Sequence, residues 1–251
     1  MRCAMSRERP ILFSSPMVRA LLDGSKTQTR RPVKPDPGPY WNPIVGAHNP
    51  TIINNGGYEA PGPEIFGASD ETMGRKFAYG RPGGRIWIRE TFFAYGRWVT
   101  RYSEKKKGDE WHFIDMTVEC DRAYQYDADA PDLPLAKGRG GALPGWHRRP
   151  AIFMPRAASR ILLEIVSVRV QRLNDCSAAD ARAEGLISYE HFWRECEYPL
   201  PDIAYEPFKG SPTRYSDPVQ AYQALWESIN GAGSWAANPW VWVVEFKRVT
   251  P

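Results

Sequence analysis

The segment that most constrains the fold is a strand followed at once by a capped helix, between positions 159 and 185. In "NDCSAADARAEGL", Ser177 is predicted to cap a short helix, Asp180 to complete a capping box and Gly185 to end the helix. In the preceding "SRILLEIVSVRVQRL", the alternation of apolar residues slips by one position near Val166 and Ser167, which predicts a β-bulge. The alternating residues, typical of a strand with one buried face, are Ile161, Leu163, Ile165, Val168 and Val170.

Two further helices are indicated by their start and stop residues. Ser15 is predicted to cap the first helix, Pro16 to occupy its first position and Gly24 to stop it. Asp217 and Pro218 begin a third helix in the same way. The apolar stripe that predicts its buried face consists of Val219, Tyr222, Leu225, Trp226 and Ile229.

The remaining strands and the segments between them suggest the fold class. "GGRIWIRETFFAY" predicts a turn and a strand, and "NPWVWVVEFKRV" predicts a closing strand that is buried on at least one face. The segments 32–84 and about 105–149 are rich in Pro, Gly or charge and show no sustained period. Strands with a few short helices predict an α+β protein, a small β-barrel with helices at its rim and long loop insertions. At 251 residues the chain suits one large domain.

Composition and spacing argue against several classes of protein. No apolar run approaches the roughly 18 residues that a membrane helix needs, and the first residues lack the apolar core of a signal peptide. We therefore expect a soluble, cytoplasmic protein with no membrane partner. The four Cys and four His show no metal-binding spacing, so neither a metal nor another cofactor is expected. The formal charge of +4 permits a nucleic-acid or nucleotide partner without requiring one.

The stretch "DGSKTQTRRP" combines hydroxyl groups with cations directly after the first helix. A Thr hydroxyl becomes a nucleophile only when a base removes its proton. A lysine serves as that base only when burial or nearby cations lower its pKa. The glycine permits a turn that brings Lys26 near Thr29, and Arg30 and Arg31 supply the cations. Taken alone, the stretch is also compatible with a solvated polar loop or a phosphate-binding patch.

Two carboxylates and two aromatic residues are further candidates. Glu184 lies in the last turn of its helix, where the helix dipole disfavours a carboxylate, and this suits a group that exchanges protons. A surface glutamate that tolerates the field fits equally. Glu90 follows the strand "RIWIR" and is also compatible with an exposed charge at a strand end. Trp41 is a candidate for stacking on a base and Trp87 for contact with the substrate, although aromatic side chains serve equally in protein cores.

Together these pieces resemble the ASCH-domain family, which is related to the PUA family of RNA-binding barrels. "LLDGSKTQTRR" is similar to the family signature, in which a glycine precedes a KTxTxR-like run. "GGRIWIRE" resembles its Gly-Asp turn and strand, with Gly84 in place of the Asp, and "WVVEFKRV" resembles its closing strand. The resemblance covers roughly half of the chain. It implies a single PUA-like domain over 1–251, with insertions at about 32–82, 97–148 and 187–216, as in the larger, prophage-associated branch of the family.

The resemblance also implies a reaction. In small bacterial members that hydrolyse N(4)-acetylcytidine, the catalytic group is a Lys, a Thr three residues later and a Glu in the short helix. Position by position, these roles fall on Lys26, Thr29 and Glu184. The implied enzyme is a metal-independent amidohydrolase in which Thr29 attacks the acyl carbonyl, Lys26 accepts its proton and Glu184 protonates the leaving amine. A variant in which Glu184 activates water and Thr29 only orients the substrate fits equally. The residues expected to bind the nucleoside are Arg31, Thr27, Glu90, Trp41 and Trp87.

Two other functions stay open on the sequence. An RNA- or modified-base-binding module without catalysis is favoured by the PUA relationship and the net positive charge. A ribonuclease has precedent among ASCH proteins, although no His pair or Glu–Arg motif indicates one. The joint presence of Lys26, Thr29 and Glu184 favours the amidohydrolase, because a binding module has no need of all three. The sequence does not indicate an oligomeric state.

Overall fold

The structure, a computed structural model, describes residues 8–139, 141, 143–190 and 203–249. Within these ranges the helices are α1 (Ser15–Leu22), α2 (Ala178–Ala183) and α3 (Pro218–Asn230). The strands are β1 (Arg9–Leu12), β2 (Gln28–Pro32), β3 (Ile44–His48), β4 (Thr51–Ile53), β5 (Glu59–Pro61), β6 (Ile65–Ser69), β7 (Gly74–Lys76), β8 (Arg85–Arg89), β9 (Phe92–Ser103), β10 (Gly108–Asp115), β11 (Gln125–Tyr126), β12 (Gly145–Arg149), β13 (Leu162–Arg172), β14 (Ile187–Glu190), β15 (Ile203–Glu206) and β16 (Trp240–Arg248). The protein is therefore a mixed α+β structure rich in strands, as predicted.

The contacts divide the chain into two compact units. Unit 1 comprises Met1–Pro10, Ala20–Ile86 and Ile161–Pro251, and unit 2 comprises Ile11–Arg19 and Trp87–Arg160. The predicted insertion at 97–148 thus lies within unit 2, and the one at 32–82 within unit 1. The insertion predicted at 187–216 includes residues 191–202, which lie outside the described residues. The prediction of a single domain stays a prediction.

Unit 1 contains an antiparallel sheet in which β16 lies between β13 and β2. The register of β13 shifts between Ile165 and Ser167, and Val166 at the shift is 51% exposed, so the predicted bulge is confirmed. Four consecutive residues of β16 are buried, Val241 through Val244, as expected for a strand covered on both faces. No sheet in the described ranges closes into a barrel, and the PUA-like barrel stays a prediction.

The predicted helix ends of unit 1 are confirmed. Ser177 accepts a hydrogen bond from the Asp180 backbone and Asp180 bonds back to the Ser177 backbone, which completes the capping box of α2. Asp217 caps α3, with a proline in its first turn. Tyr222 of α3 is buried as predicted, but Ile229 is 53% exposed because it lies in the last turn, beyond the core. That core cluster contains Leu173, Cys176, Ala181, Leu186, Tyr205, Ala221, Tyr222, Leu225, Trp226, Val241 and Val243.

The segment 32–82, predicted to lack regular structure, contains five short strands. β3, β6 and β7 form one antiparallel sheet, and β4 pairs with β5 in a hairpin. Each strand has three to five residues, and all three residues of β4 are exposed. Strands this short and this exposed carry no readable alternation of apolar and polar residues, so sequence periodicity does not detect them.

Unit 2 is built around the long strand β9. β10 pairs antiparallel with one part of β9, and β11 and β12 pair with its beginning. The turn predicted at "EKKKGDE" is confirmed, since residues 104–107 connect β9 to β10. The rest of 105–149 was predicted to be irregular, and this is wrong for β10 and β12. Their sequences mix aromatic, charged and glycine residues, so no clean period of two appears.

Candidate active site

Two helix ends in unit 1 fix the backbone around Lys26. The Lys26 amide donates to the carbonyl of Ala20 in α1 at 2.9 Å, and the Thr27 amide donates to the carbonyl of Ala183 in α2 at 2.9 Å. Lys26 and Glu184 form an isolated antiparallel bridge at this point. The last carbonyls of both helices, which have no partner within the helix, are thereby used to position the residue before β2.

Glu184 is the C-cap of α2 and Gly185 makes the approach to Lys26 possible. Gly185 has a φ of +89°, in the left-handed region that favours glycine. A Cβ atom placed on it would lie 2.8 Å from the Cβ of Ala20 and 2.9 Å from the Cβ of Lys26. The Glu-Gly pair that ends the helix therefore serves two purposes, because the glycine lets the chain pack against Lys26 while the glutamate faces it.

The side chains of Lys26, Arg30 and Glu184 form a buried ionic cluster. Lys26 Nζ donates to Glu184 Oε2 at 2.8 Å and to the Glu184 carbonyl at 2.8 Å, across 158 residues of sequence. Arg30 Nη1 donates to Glu184 Oε1 at 3.2 Å. The side chains of both cations are 0% exposed and that of Glu184 is 3% exposed. Each carboxylate oxygen of Glu184 thus has a cationic donor, which is what a buried carboxylate requires.

The cluster continues towards the surface through alternating charges. Arg30 Nη2 lies 3.1 Å from Asp180 Oδ2, without the alignment of a hydrogen bond. Asp180 also pairs with Arg169, which in turn pairs with Glu245. Each cation in this series lies between carboxylates, so no charge within it is left without an opposite neighbour.

Burial shifts the proton affinities of this cluster. Desolvation lowers the pKa of Lys26; the Glu184 carboxylate opposes this effect, and Arg31 and Arg30 reinforce it. Desolvation also raises the pKa of the Tyr222 hydroxyl well above its ordinary value, and its hydrogen bond with Glu184 contributes in the same direction. Burial raises the pKa of the Cys176 thiol to about 12. A lowered pKa suits a lysine base, whereas the contact with Glu184 favours the ammonium form of Lys26.

Thr29 is buried in β2 but does not join this cluster. Its register partner in β16 is Val244, whereas that of Arg30 is Val243, so the two side chains point to opposite faces of the sheet. In the part of the chain that the structure describes, the Thr29 hydroxyl makes no hydrogen bond to Lys26 or Glu184. The structure therefore brings together two of the three predicted catalytic residues.

The substrate-binding residues predicted in unit 1 have different surroundings. Thr27 is exposed and Arg31 is half-buried. Trp41 is buried and packs edge-on against Trp240, with ring centroids 5.5 Å apart. The Trp41 indole N–H has no hydrogen-bond partner among the described residues. Trp41 thus belongs to an aromatic part of the core, and its role in stacking on a base stays a prediction.

The two predicted residues of unit 2, Glu90 and Trp87, are also buried. Glu90 is not an exposed strand-end charge: Arg160 donates to its Oε1 and Oε2 at 3.0 and 3.1 Å. Arg160 also binds Asp129, so one guanidinium group holds two carboxylates. Burial raises the pKa of Glu90 although Arg160 opposes the shift. The Arg89 guanidinium lies over the Trp87 ring, 4.9 Å from the ring centroid. Their role in substrate binding stays a prediction.

Three members of the site, Arg30, Asp180 and Tyr222, were not identified from the sequence. The sequence indicates Arg30 only as a cation that affects its neighbours and Asp180 only as a helix cap. The missing signal lies in spacing: Lys26 and Arg30 are four residues apart, so in an extended chain they share one face. Tyr222 was assigned to the apolar stripe of α3, and its hydroxyl adds a polar contact that the stripe alone does not predict.

The described residues contain no group of three or more His, Cys, Asp and Glu that could hold a metal ion. None of the described helices is long and apolar enough to cross a membrane. Cys3, His191 and Cys196 lie outside the described residues. Comparison of the chain with protein-family models, with curated proteins and with solved structures found no match.

Proposed function

We propose that the protein is a metal-independent amidohydrolase that removes the acyl group from N(4)-acylated cytosine nucleosides, such as N(4)-acetylcytidine, within a PUA-like (ASCH) domain. The observation that carries the proposal is the 2.8 Å contact between Lys26 Nζ and Glu184 Oε2. These two residues are assigned catalytic roles by their resemblance to the ASCH hydrolases, and they are separated by 158 residues. Their direct contact supports the assignment of both residues to one site.

The position of Thr29 favours the version of the reaction in which water is the nucleophile. Glu184 accepts a proton from water, the resulting oxygen attacks the acyl carbon, and the Lys26 ammonium stabilises the oxyanion. The bond from the acyl carbon to N4 then breaks, and Glu184 returns the proton to the leaving amine. Products are the cytosine nucleoside and a carboxylate. Thr29, on the other face of β2, orients the substrate in this version and forms no ester.

Burial of the pair sets a requirement for turnover. The Lys26 and Glu184 side chains are closed to solvent, so a nucleoside reaches them only after neighbouring side chains move. The same burial favours the competing function, a module that binds RNA or a modified base and in which the ion pair only stabilises the fold. Measurement of substrate turnover distinguishes the two functions, because only the hydrolase releases the acyl group.

The test is incubation of the protein with N(4)-acetylcytidine and measurement of cytidine by liquid chromatography. We expect turnover by the parent protein and a loss of at least about a hundredfold in Lys26→Met and in Glu184→Gln, the scale of removing one acid–base group. Thr29→Val is expected to retain activity within about tenfold if water attacks directly. A loss in Thr29→Val as large as in the other two would instead support an ester at Thr29.

Glu245→Gln provides the matched control, because it changes the outermost carboxylate of the same series of ion pairs, whose partners are Arg169 and Ser167 rather than Lys26 or Glu184. It should retain turnover. Circular dichroism and urea unfolding of each variant separate lost chemistry from lost folding. Absence of turnover by a folded parent protein would contradict the proposal, and binding of RNA without turnover would favour the module.

A further inference from the structure

One face of the sheet in unit 2 carries a row of aromatic side chains. Trp98 of β9 is the register partner of Phe113 in β10, and Tyr102 and Trp111 lie further along the same two strands. Because side chains two residues apart share a face, all four lie on one side of this sheet. On the other neighbour of β9, the register places His147 and Arg149 of β12 on that same side. These six residues are here called the aromatic face.

The rings of the aromatic face are packed against one another at one end and exposed to solvent at the other. The Trp98 and Phe113 rings lie 5.3 Å apart, and Phe113 and His147 also lie 5.3 Å apart. Beyond this packed group, Trp111 is 44% exposed and Tyr102 is 66% exposed. The packed rings give the face rigidity, and the exposed rings offer open π surfaces.

Arginines lie directly on these rings. The Arg149 guanidinium lies 4.4 Å from the Phe113 centroid and 4.7 Å from that of Trp98. Arg139 covers Trp98 at the same distance of 4.7 Å. A guanidinium stacked on a ring keeps its charge and its N–H donors at the ring edge, so it remains able to bind an anion.

The charge of the protein is concentrated in the unit that carries the aromatic face. Residues 11–19 and 87–160 contain 14 Lys and Arg against 10 Asp and Glu, whereas the whole chain contains 33 against 29. The entire formal excess of +4 therefore falls on unit 2. Two carboxylates of β10 lie on the same side of the sheet as the aromatic face: Asp115 accepts hydrogen bonds from Thr117 and Tyr124, and Asp109 lies exposed opposite Tyr102.

We propose that the aromatic face binds single-stranded nucleic acid, with bases stacked on Trp111 and Tyr102 and phosphates held by Arg149 and Arg139. Aromatic rings beside cations are the combination by which proteins bind single strands without reading sequence, because every base has a π face and every nucleotide a phosphate. The positive unit favours a polyanion over a neutral protein partner. The inference stands independently of the proposed hydrolase activity, since it uses none of Lys26, Thr29 or Glu184.

The test uses fluorescence anisotropy of a fluorescein-labelled single-stranded 12-mer, as RNA and as DNA, with the full-length protein. We expect binding that weakens steeply between about 50 and 200 mM salt, because phosphate contacts release counterions. Trp111→Ala and Tyr102→Ala are each expected to weaken binding about tenfold, as loss of one stacked base does. Tyr102 is 66% exposed and Trp111 44% exposed, outside the buried core, so the variants should fold as the parent does.

Two matched variants distinguish binding at the aromatic face from non-specific binding to the rest of the protein surface. Arg101→Ala removes a charge from the opposite face of the same sheet, and Tyr58→Ala removes an exposed ring from unit 1. Both should bind as the parent does. Equal losses in these controls and in the aromatic-face variants would overturn the proposal, and so would the absence of binding at low salt. Duplex DNA bound as tightly as the single strand would also overturn it, because stacked base pairs cannot use exposed rings.

Discussion

At the scale of single residues, the buried cluster is organised around the charge of Glu184. An isolated carboxylate in the interior costs several kcal/mol, and the attraction of paired cations offsets this only when the geometry is good. Glu184 has Lys26 at one oxygen and Arg30 at the other, and Asp180 provides the second carboxylate that balances the two cations. Removal of any one member therefore leaves a buried charge without compensation.

Arg30→Met tests this account of the cluster. The substitution keeps an unbranched apolar side chain but leaves Glu184 with only one cation, and we expect it to lower the free energy of unfolding by about 3–5 kcal/mol. Urea unfolding measures the change. Arg31→Met is the matched control, because the neighbouring arginine is only half-buried and pairs with Trp242 on the other face of β2. Equal stability of the two variants would contradict a structural role for Arg30.

Glu90 gives a prediction for pH dependence. Its folded-state pKa is raised above the ordinary 4.5, so the folded protein holds this proton more tightly than the unfolded chain does. Its contribution to stability is then fully present below pH 4.5 and is lost as the pH rises through the folded-state pKa. Glu90→Gln has no such titration. We expect the stability of the parent relative to Glu90→Gln to decrease between about pH 4 and pH 7, as measured by urea unfolding at both values.

The opposite sign would mean that Arg160 outweighs desolvation at Glu90. A parent protein that gains stability over Glu90→Gln as the pH rises would show this. The ion pair would then have the larger effect on the proton affinity of the Glu90 carboxylate, and burial the smaller one.

At the scale of elements, the end of α2 is the part of the fold that constructs the site. Gly185 combines a φ of +89° with close packing against Ala20 and Lys26. Gly24, after α1, has a similar φ of +84° and open space around it. The two glycines therefore separate the cost of the backbone conformation from the cost of crowding.

We expect Gly185→Ala to destabilise the protein more than Gly24→Ala. Both substitutions place a Cβ in the left-handed region, at about 1–2 kcal/mol, and Gly185→Ala adds overpacking of about 1–3 kcal/mol. Urea unfolding of the two variants gives the difference directly. Gly185→Ala should also reduce hydrolysis of N(4)-acetylcytidine, because the displaced backbone carries Glu184. Equal destabilisation would show that the chain relaxes around the new methyl group.

Elements with a local chemical signal could be predicted from the sequence, and those held together by distant contacts could not. The capping box of α2, the proline that begins α3 and the bulge at Val166 each depend on residues within a few positions, and each is confirmed. The short strands β3 to β7 have no such signal. The opposite orientation of Thr29 and Arg30 follows once residues 28–32 are known to form a strand, and that strand pairs with β16 from the distant end of the chain.

At the scale of the whole molecule, the family resemblance predicted that Lys26 and Glu184 lie in one site, but it did not predict that Thr29 lies apart from them or how the chain divides. The contact between Lys26 and Glu184 agrees with the roles that the ASCH resemblance implies. Arg30 and Tyr222 are identified as members of the site only from the structure, in which Tyr222 of α3 packs against Arg30 of β2. Charge is distributed unevenly: unit 2 carries the formal excess, and unit 1 is balanced. The two proposed activities therefore belong to different units, one based on a neutral ionic cluster and the other on a positive surface.

The long sequence separation between β2 and its partners has a consequence for synthesis of the protein. β2 leaves the ribosome long before its partners, since the strand beside it, β16, and the carboxylate that neutralises Lys26 are translated later. Until Glu184 has left the ribosome, burial of Lys26 would enclose a charge without compensation. The Lys26 side chain therefore has to stay exposed to water until then. A nascent chain that stops before α2 lacks Glu184 and cannot form this part of the fold. The ion pair therefore forms only in chains whose translation has passed Glu184.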